Sequence, residues 1–267
     1  MTKLRHLWDQ GQPTLNAWLS IGNAFTAEIM AAQGFDSITV DMQHGALDYT
    51  DLLPMLQAMR ASGTTLLARA AWLDPAAIMK ALDAGADGII CPMINTADEA
   101  ARLVSYMRYP PLGERSFGPT RAAFAHGDDY AARANASILA FAMIETAEAY
   151  ANLEAITATP GLDGIYVGPA DLSLSLSKGQ LKAGVDREEP EIIAALQAIA
   201  AACNRRGIIA ALHCGTPDYA ARAISWGFKM TTVGSDARFM AVGAAAAVTS
   251  FRQLTDSAAG KTTAVAY

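Results

Sequence analysis

Short apolar runs alternate with amphipathic stretches along the whole chain, and the alternation sets the expected elements. Thr14 to Leu19, Ser37 to Val40, Thr65 to Ala68 and Gly88 to Cys91 read as the first four strands. Ile138 to Ile144, Gly164 to Val167, Ile208 to Leu212 and Met230 to Val233 read as the next four. Between them lie helical stretches with recognisable ends. Gly34, Gly63 and Gly85 stop helices, Asp74-Pro75 starts one with an acid at the cap and Pro in the first turn, and Thr96 with Glu99 forms a capping box. A further helix is expected over Thr146 to Thr157, and a last one over Arg238 to Leu254. Eight strand-helix pairs without a repeat period predict an α/β protein, a single (β/α)8 TIM barrel over residues 1–256, with a flexible tail from 257 to 267. Two segments break the rhythm. Tyr106 to Asn135, rich in Pro, Gly and Arg, reads as a long functional loop or subunit contact, and Leu174 to Pro190 is a second excursion on the active rim.

The pattern is most informative from Phe141 to Leu174. One strand ends at Glu145, a helix follows, Pro160-Gly161 breaks the chain, and a second strand ends in Gly168-Pro169-Ala170-Asp171. Parallel strand ends lie side by side, so Glu145 and Asp171 are expected on one rim, close enough to share a divalent cation. The alternative is that each acid caps the helix after it.

Loops after the strands build the active sites of such barrels, so the residues just past each strand carry the chemistry. Asp41 and His44 follow the second strand and Arg69 ends the third. His44 sits beside Gly45 in a loop, where acid/base work is the natural reading. Arg69 follows four apolar strand residues, so its guanidinium needs an anion: a substrate oxygen, or Asp41 in an ion pair. The free N–H groups of the Gly168 to Asp171 turn suit a carboxylate or phosphate. Together these groups fit a small 2-oxo acid whose enolate is stabilised by cation and arginine. A Schiff-base route needs a rim lysine. Lys80 falls within a helix, Lys229 precedes its strand, and Lys178 and Lys182 lie in an exposed-looking loop.

Composition narrows the partners. With 52% hydrophobic and 17% charged residues the 267-residue chain is globular. A net charge of −6 and no Lys/Arg cluster argue against nucleic acid. Cys91, Cys203 and Cys214 are scattered without CxxC spacing, as in reduced cytosolic thiols. The polar start and the lack of a long apolar run lead to the expectation of a cytoplasmic protein with no membrane partner.

The segments VDMQHG, LLARAAWLDP, ADGIICPMINTADEA, RYPPLGERS, MIET and DGIYVGPADLS resemble, in the same order, the class II metal-dependent pyruvate aldolases, the 4-hydroxy-2-oxoheptane-1,7-dioate and 2-dehydro-3-deoxyglucarate aldolase family. The resemblance covers roughly Thr14 to Leu254. It implies a barrel of the phosphoenolpyruvate/pyruvate type that makes or cleaves 4-hydroxy-2-oxo acids from pyruvate or hydroxypyruvate and an aldehyde. It further implies Glu145 and Asp171 as ligands of Mg²⁺, Mn²⁺ or Co²⁺, and Arg69 on the 2-oxo group. His44 takes the water-mediated proton step with Asp41 beside it, and Asp83 supports the histidine across a subunit contact. Gly168, Pro169, Ala170 and Asp171, with Trp18 and Leu212, form the expected substrate-binding set, and a homohexamer is the expected assembly. The chain departs from the pattern at Gln43, where relatives active on sugar acids or heptanedioate carry an acid, which bears on donor and acceptor choice and not on a metal ligand. The competing expectations are a citryl or malyl thioester lyase of the same superfamily, and a non-catalytic sensor of 2-oxo acids.

Overall fold

The structure, a computed structural model, describes residues 2–261. Eight parallel strands close into a barrel in sequence order: β1 (Thr14–Leu19), β2 (Ser37–Asp41), β3 (Thr65–Arg69), β4 (Gly88–Cys91), β5 (Leu139–Ile144), β6 (Gly164–Val167), β7 (Ile209–His213) and β8 (Met230–Ser235). The strands fall where the apolar runs predict them, to within one or two residues. They are apolar on both faces because each is covered on both. One set of side chains, among them Leu19, Val40, Ala68, Ile144, Val167 and Leu212, packs against the helices. The alternate set, Trp18, Leu67, Ile90, Phe141, Met143, Tyr166, Ala211 and Met230, fills the barrel.

The helices are α1 (Lys3–Asp9), α2 (Ala24–Ala31), α3 (Tyr49–Met59), α4 (Pro75–Asp83), α5 (Ala97–Met107), α6 (Thr120–His126), α7 (Tyr130–Ser137), α8 (Ala147–Ala151), α9 (Leu153–Thr157), α10 (Pro169–Leu176), α11 (Pro190–Arg206), α12 (Pro217–Ser225) and α13 (Asp236–Lys261). The Thr96–Glu99 capping box opens α5 as the sequence predicts. Three features differ from expectation. Helix α1, not foreseen, plugs the amino-terminal end of the barrel with Leu4 and Trp8, which join the interior cluster. The segment Tyr106 to Asn135 is not a plain loop: it carries α6 and most of α7. The helix expected over Thr146 to Thr157 is divided at Asn152, which ends α8 and precedes α9.

Helix α13 stands apart. Its first residue, Asp236, is buried and accepts hydrogen bonds from the N–H groups of Ser20 (2.8 Å) and Ile21 (3.2 Å), tying the helix to the end of β1. From Ala237 through Thr255 every residue is exposed, including Met240, Val248, Phe251 and Leu254. The helix continues to Lys261, and the rest of the expected tail, 262–267, lies outside the described residues. Among the described residues no helix is long and apolar enough to cross a membrane.

Candidate active site

Register brings the candidate groups together. Asp41 and Arg69 are paired positions on β2 and β3. Ile144 and Val167 are paired on β5 and β6, so the next residues, Glu145 and Gly168, leave the barrel side by side. The result is a cavity of about 230 Å³ at the carboxyl ends of the strands, whose lining includes Trp18, Arg69, Glu145, Gly168, Asp171 and His213.

Asp41 organises one wall. Its carboxylate accepts both Nε (2.7 Å) and Nη2 (2.6 Å) of Arg69, the indole Nε1 of Trp18 (3.1 Å), and the backbone N–H groups of Gln43 (3.1 Å) and His44 (3.2 Å). Burial alone would raise this carboxyl, but the Arg69, Trp18 and His44 hydrogen bonds and the Arg69 charge outweigh it and hold the group below its ordinary value. The ion pair anticipated as the alternative role of Arg69 is therefore present. It does not exhaust the guanidinium, which also lines the cavity and lies 4.9 Å over the Trp18 ring.

Glu145 and Asp171 form the opposite wall, and neither caps a helix through its side chain. Thr146 caps α8, and Gly168 stands at the start of α10 without a side-chain cap. Glu145 is buried, and its Oε1 accepts the N–H of Met93 at 2.7 Å. Met93 makes that bond from a left-handed backbone conformation, φ 56°, which a non-glycine residue holds only under constraint. Burial raises the Glu145 carboxyl and the negative Asp171 raises it further, against the lowering effects of Met93 and Arg69. A desolvated carboxylate facing a second one is an oxygen donor set for a hard divalent cation, which ordinarily keeps water or substrate in its other positions. Among the described residues no group of three or more His, Cys, Asp or Glu converges as a metal-binding cluster. The Gly168 to Asp171 turn proves to be the first turn of α10, with Pro169 at its start, so its free N–H groups point toward the cavity end of the helix dipole.

Other expected site residues fall elsewhere. His44 is exposed; its imidazole makes no hydrogen bond among the described residues and does not line the cavity. Asp83 ends α4, at the opposite end of the barrel from the rim, and is held by Arg115 Nη2 at 2.7 Å; it does not reach the site of its own chain. Leu212 is a correction. Its side chain is fully buried in the layer between strands and helices, because alternation along β7 turns it outward. The next residue, His213, faces the cavity instead. Sequence reasoning missed His213, although the period of two was sufficient to find it once Leu212 was assigned to the outer layer.

A parallel eight-stranded barrel with two acids, an arginine and a helix amino terminus around one small rim cavity has the layout of a barrel enzyme. The chain belongs to the HpcH/HpaI aldolase/citrate lyase family, whose model matches residues 15–242. It is 37% identical over 254 residues to the hydroxypyruvate/pyruvate aldolase of Rhizorhabdus wittichii, covering 95% of this chain and 100% of that one. It is 33% identical over 244 residues to the 4-hydroxy-2-oxo-heptane-1,7-dioate aldolase of Salmonella dublin, covering 90% and 91% of the two chains. The crystal structure of an HpcH/HpaI aldolase/citrate lyase family protein from Burkholderia cenocepacia J2315 superposes with a TM-score of 0.85 at 30% identity, covering 93% of this chain and 98% of that chain.

Proposed function

We propose that this chain is a divalent-metal-dependent aldolase that reversibly cleaves or forms 4-hydroxy-2-oxo acids, using pyruvate or hydroxypyruvate as donor and an aldehyde as acceptor. The observation that carries this reading is the buried Glu145 facing Asp171 across a cavity that Arg69 also lines. Glu145 and Asp171 would hold the cation, Mg²⁺, Mn²⁺ or Co²⁺, which when bound supplies Lewis-acid polarisation of the donor's 2-oxo group. The Arg69 guanidinium, fixed by Asp41, is placed to hydrogen-bond the same oxygen as negative charge develops there. Backbone N–H groups of Gly168 to Asp171 bind the donor carboxylate. His44 moves the acceptor-side proton through water, and Asp83 supports that step from a neighbouring subunit, which accounts for its distance from its own rim. Among the described residues lining the cavity there is no lysine, which favours a metal route over a Schiff base.

The exposed apolar face of α13 and the stretch from the loop before α6 into that helix, where Phe117 and Phe124 are exposed, support a homo-oligomer, and the family resemblance makes a hexamer the assembly to test. Three free, buried cysteines support a reducing, cytoplasmic setting. The test is metal-dependent exchange of the C3 protons of 2-oxo acids, which needs no aldehyde. Exchange should stop on chelation and return with Mg²⁺, Mn²⁺ or Co²⁺. Borohydride trapping of a donor on a lysine would overturn the reading, and donor binding without exchange or turnover would indicate a sensor.

A further inference from the structure

A chain of polar groups runs through the otherwise apolar barrel interior and ends at the cavity. Asn16, on β1, takes the hydroxyls of Ser37 (2.8 Å) and Thr39 (3.1 Å) on Oδ1 and donates from Nδ2 to Thr232 Oγ1 at 3.0 Å. Thr232 Oγ1 lies 2.7 Å from the hydroxyl of Tyr166, and that hydroxyl lies 3.0 Å from Nδ1 of His213. Asn16, Ser37, Thr39, Tyr166 and Thr232 are all buried. Buried polar groups of this kind cost stability unless they are paired.

The chain has a direction. The Asn16 amide nitrogen can only donate, so Thr232 accepts from it; Thr232 is then free to donate to the Tyr166 hydroxyl, and Tyr166 to Nδ1 of His213. In that order each of the two hydroxyls both accepts and donates, the arrangement in which successive bonds strengthen one another. The imidazole proton then sits on Nε2. That atom makes no hydrogen bond among the described residues, and the ring lines the cavity, edge-on to Trp18 at 4.9 Å between centroids and 88° between planes. Burial, with the Arg69 charge acting the same way, pushes the imidazole down to about 4, so it is neutral when the enzyme works and offers a dipolar N–H, not a charge.

We propose that His213 is a specificity-determining residue: its Nε2–H, aimed into the cavity by the Asn16–Thr232–Tyr166 chain, hydrogen-bonds an oxygen on C3 of the donor and selects 3-hydroxy-2-oxo acids over unsubstituted ones. This rests on the aldolase reading and names its donor class. The placement favours the donor over the acceptor. His213 is on β7, next to the strand whose following turn takes the donor carboxylate, and neighbouring strands are about 4.8 Å apart, within the span of a three-carbon acid. Both His213 and Tyr166 line the cavity, and Tyr166 belongs to the barrel interior beneath the strand ends.

The experiment compares kcat/KM for hydroxypyruvate and for pyruvate, with one aldehyde, in the metal-loaded parent and in His213→Phe, His213→Gln and Tyr166→Phe. The parent should favour hydroxypyruvate. His213→Phe should lower the hydroxypyruvate-to-pyruvate ratio about tenfold, the worth of one neutral hydrogen bond. His213→Gln, which restores an N–H donor, should recover most of it, and Tyr166→Phe, which frees the imidazole to turn, should lower it less. Independently of turnover, ¹⁵N imidazole shifts of the folded parent should show the proton on Nε2. An unchanged ratio in His213→Phe, equal losses with both donors, altered choice among aldehydes alone, or a proton on Nδ1 would each overturn the proposal. A parent that turns over no 2-oxo acid would instead sink the aldolase reading itself.

Discussion

Gly168 and Glu145 approach so closely that a β-carbon added to Gly168 would stand 2.6 Å from Glu145 Oε2. The backbone at Gly168 is ordinary, φ −95° and ψ 90°, so the glycine is there for space and not for conformation. Gly168→Ala should therefore act on the site and spare the fold. The buried carboxylate, held at its other oxygen by Met93, has to swing from its place, and Mn²⁺ affinity should fall roughly 10- to 100-fold, as when a group that positions a metal ligand is lost. Calorimetric titration with Mn²⁺ and a melting curve of the metal-free variant test this. Full affinity would show that the carboxylate sits elsewhere when the cation binds.

Arg69 has two partners to lose. Arg69→Ala should lower both C3 proton exchange and aldol cleavage by about 10²- to 10³-fold, the worth of one such donor in a site sheltered from water. It should also lower stability by about 3–5 kcal/mol, because Asp41, 2% exposed, is left buried without its cation. The pH dependence follows from the depressed Asp41 carboxyl. Its contribution to stability is present above its ordinary value of 3.8 and disappears as pH falls through the lower folded value. The variant should lose that acid-side dependence in denaturation curves taken from neutral pH downward. Normal exchange in Arg69→Ala would reduce the residue to a brace for Asp41.

The barrel was legible in the sequence because buried parallel strands are short continuous apolar runs, and caps such as Thr96 with Glu99 fix where helices start. What was not legible depended on tertiary context. Helix α1 is too short and too polar to announce itself, and only its docking of Leu4 and Trp8 against the barrel floor makes it fold. The Pro- and Gly-rich stretch before α6 hid two helices, because its early residues break periodicity. In the site, the residues that leave strand ends, Asp41, Arg69, Glu145 and Asp171, were read from position alone. His213 was missed because β7 runs one residue further than its apolar run, and the partners that give it meaning, Tyr166 and Thr232, come from other strands.

Helix α13 exposes a row of apolar side chains that a solitary chain leaves in water, with Phe251 at 67% and Leu254 at 70% exposure. Its small residues from Gly243 to Ala247 permit close approach of another helix. Phe251→Asp with Leu254→Asp should lower the mass seen by light scattering below that of the parent while leaving the barrel's circular dichroism intact. If Asp83 serves a neighbour's site, the dissociated variant should lose turnover as well, with its metal affinity kept. A parent that is monomeric at working concentration would count against both the assembly and the role of Asp83.

His44 is where a structural and a chemical role separate most cleanly. Its side chain is exposed and bonds to nothing among the described residues, and the one contact the residue makes to the site is its backbone N–H to Asp41, which alanine keeps. His44→Ala should therefore leave the melting temperature unchanged. Mn²⁺ affinity should also survive, since Glu145 and Asp171 are the proposed ligands, and so should donor binding on the α10 turn. Turnover with an aldehyde should nevertheless fall by around 10² to 10⁴, the usual share of a general acid or base. Exchange of the donor's C3 protons, measured on the same protein without aldehyde, adds a finer division. If the imidazole serves the acceptor oxygen, exchange persists while cleavage and condensation collapse; if it also serves C3, both fall together. Unchanged turnover would remove His44 from the mechanism, and a fall in stability alongside the rate would mean that it supports the Asp41 loop.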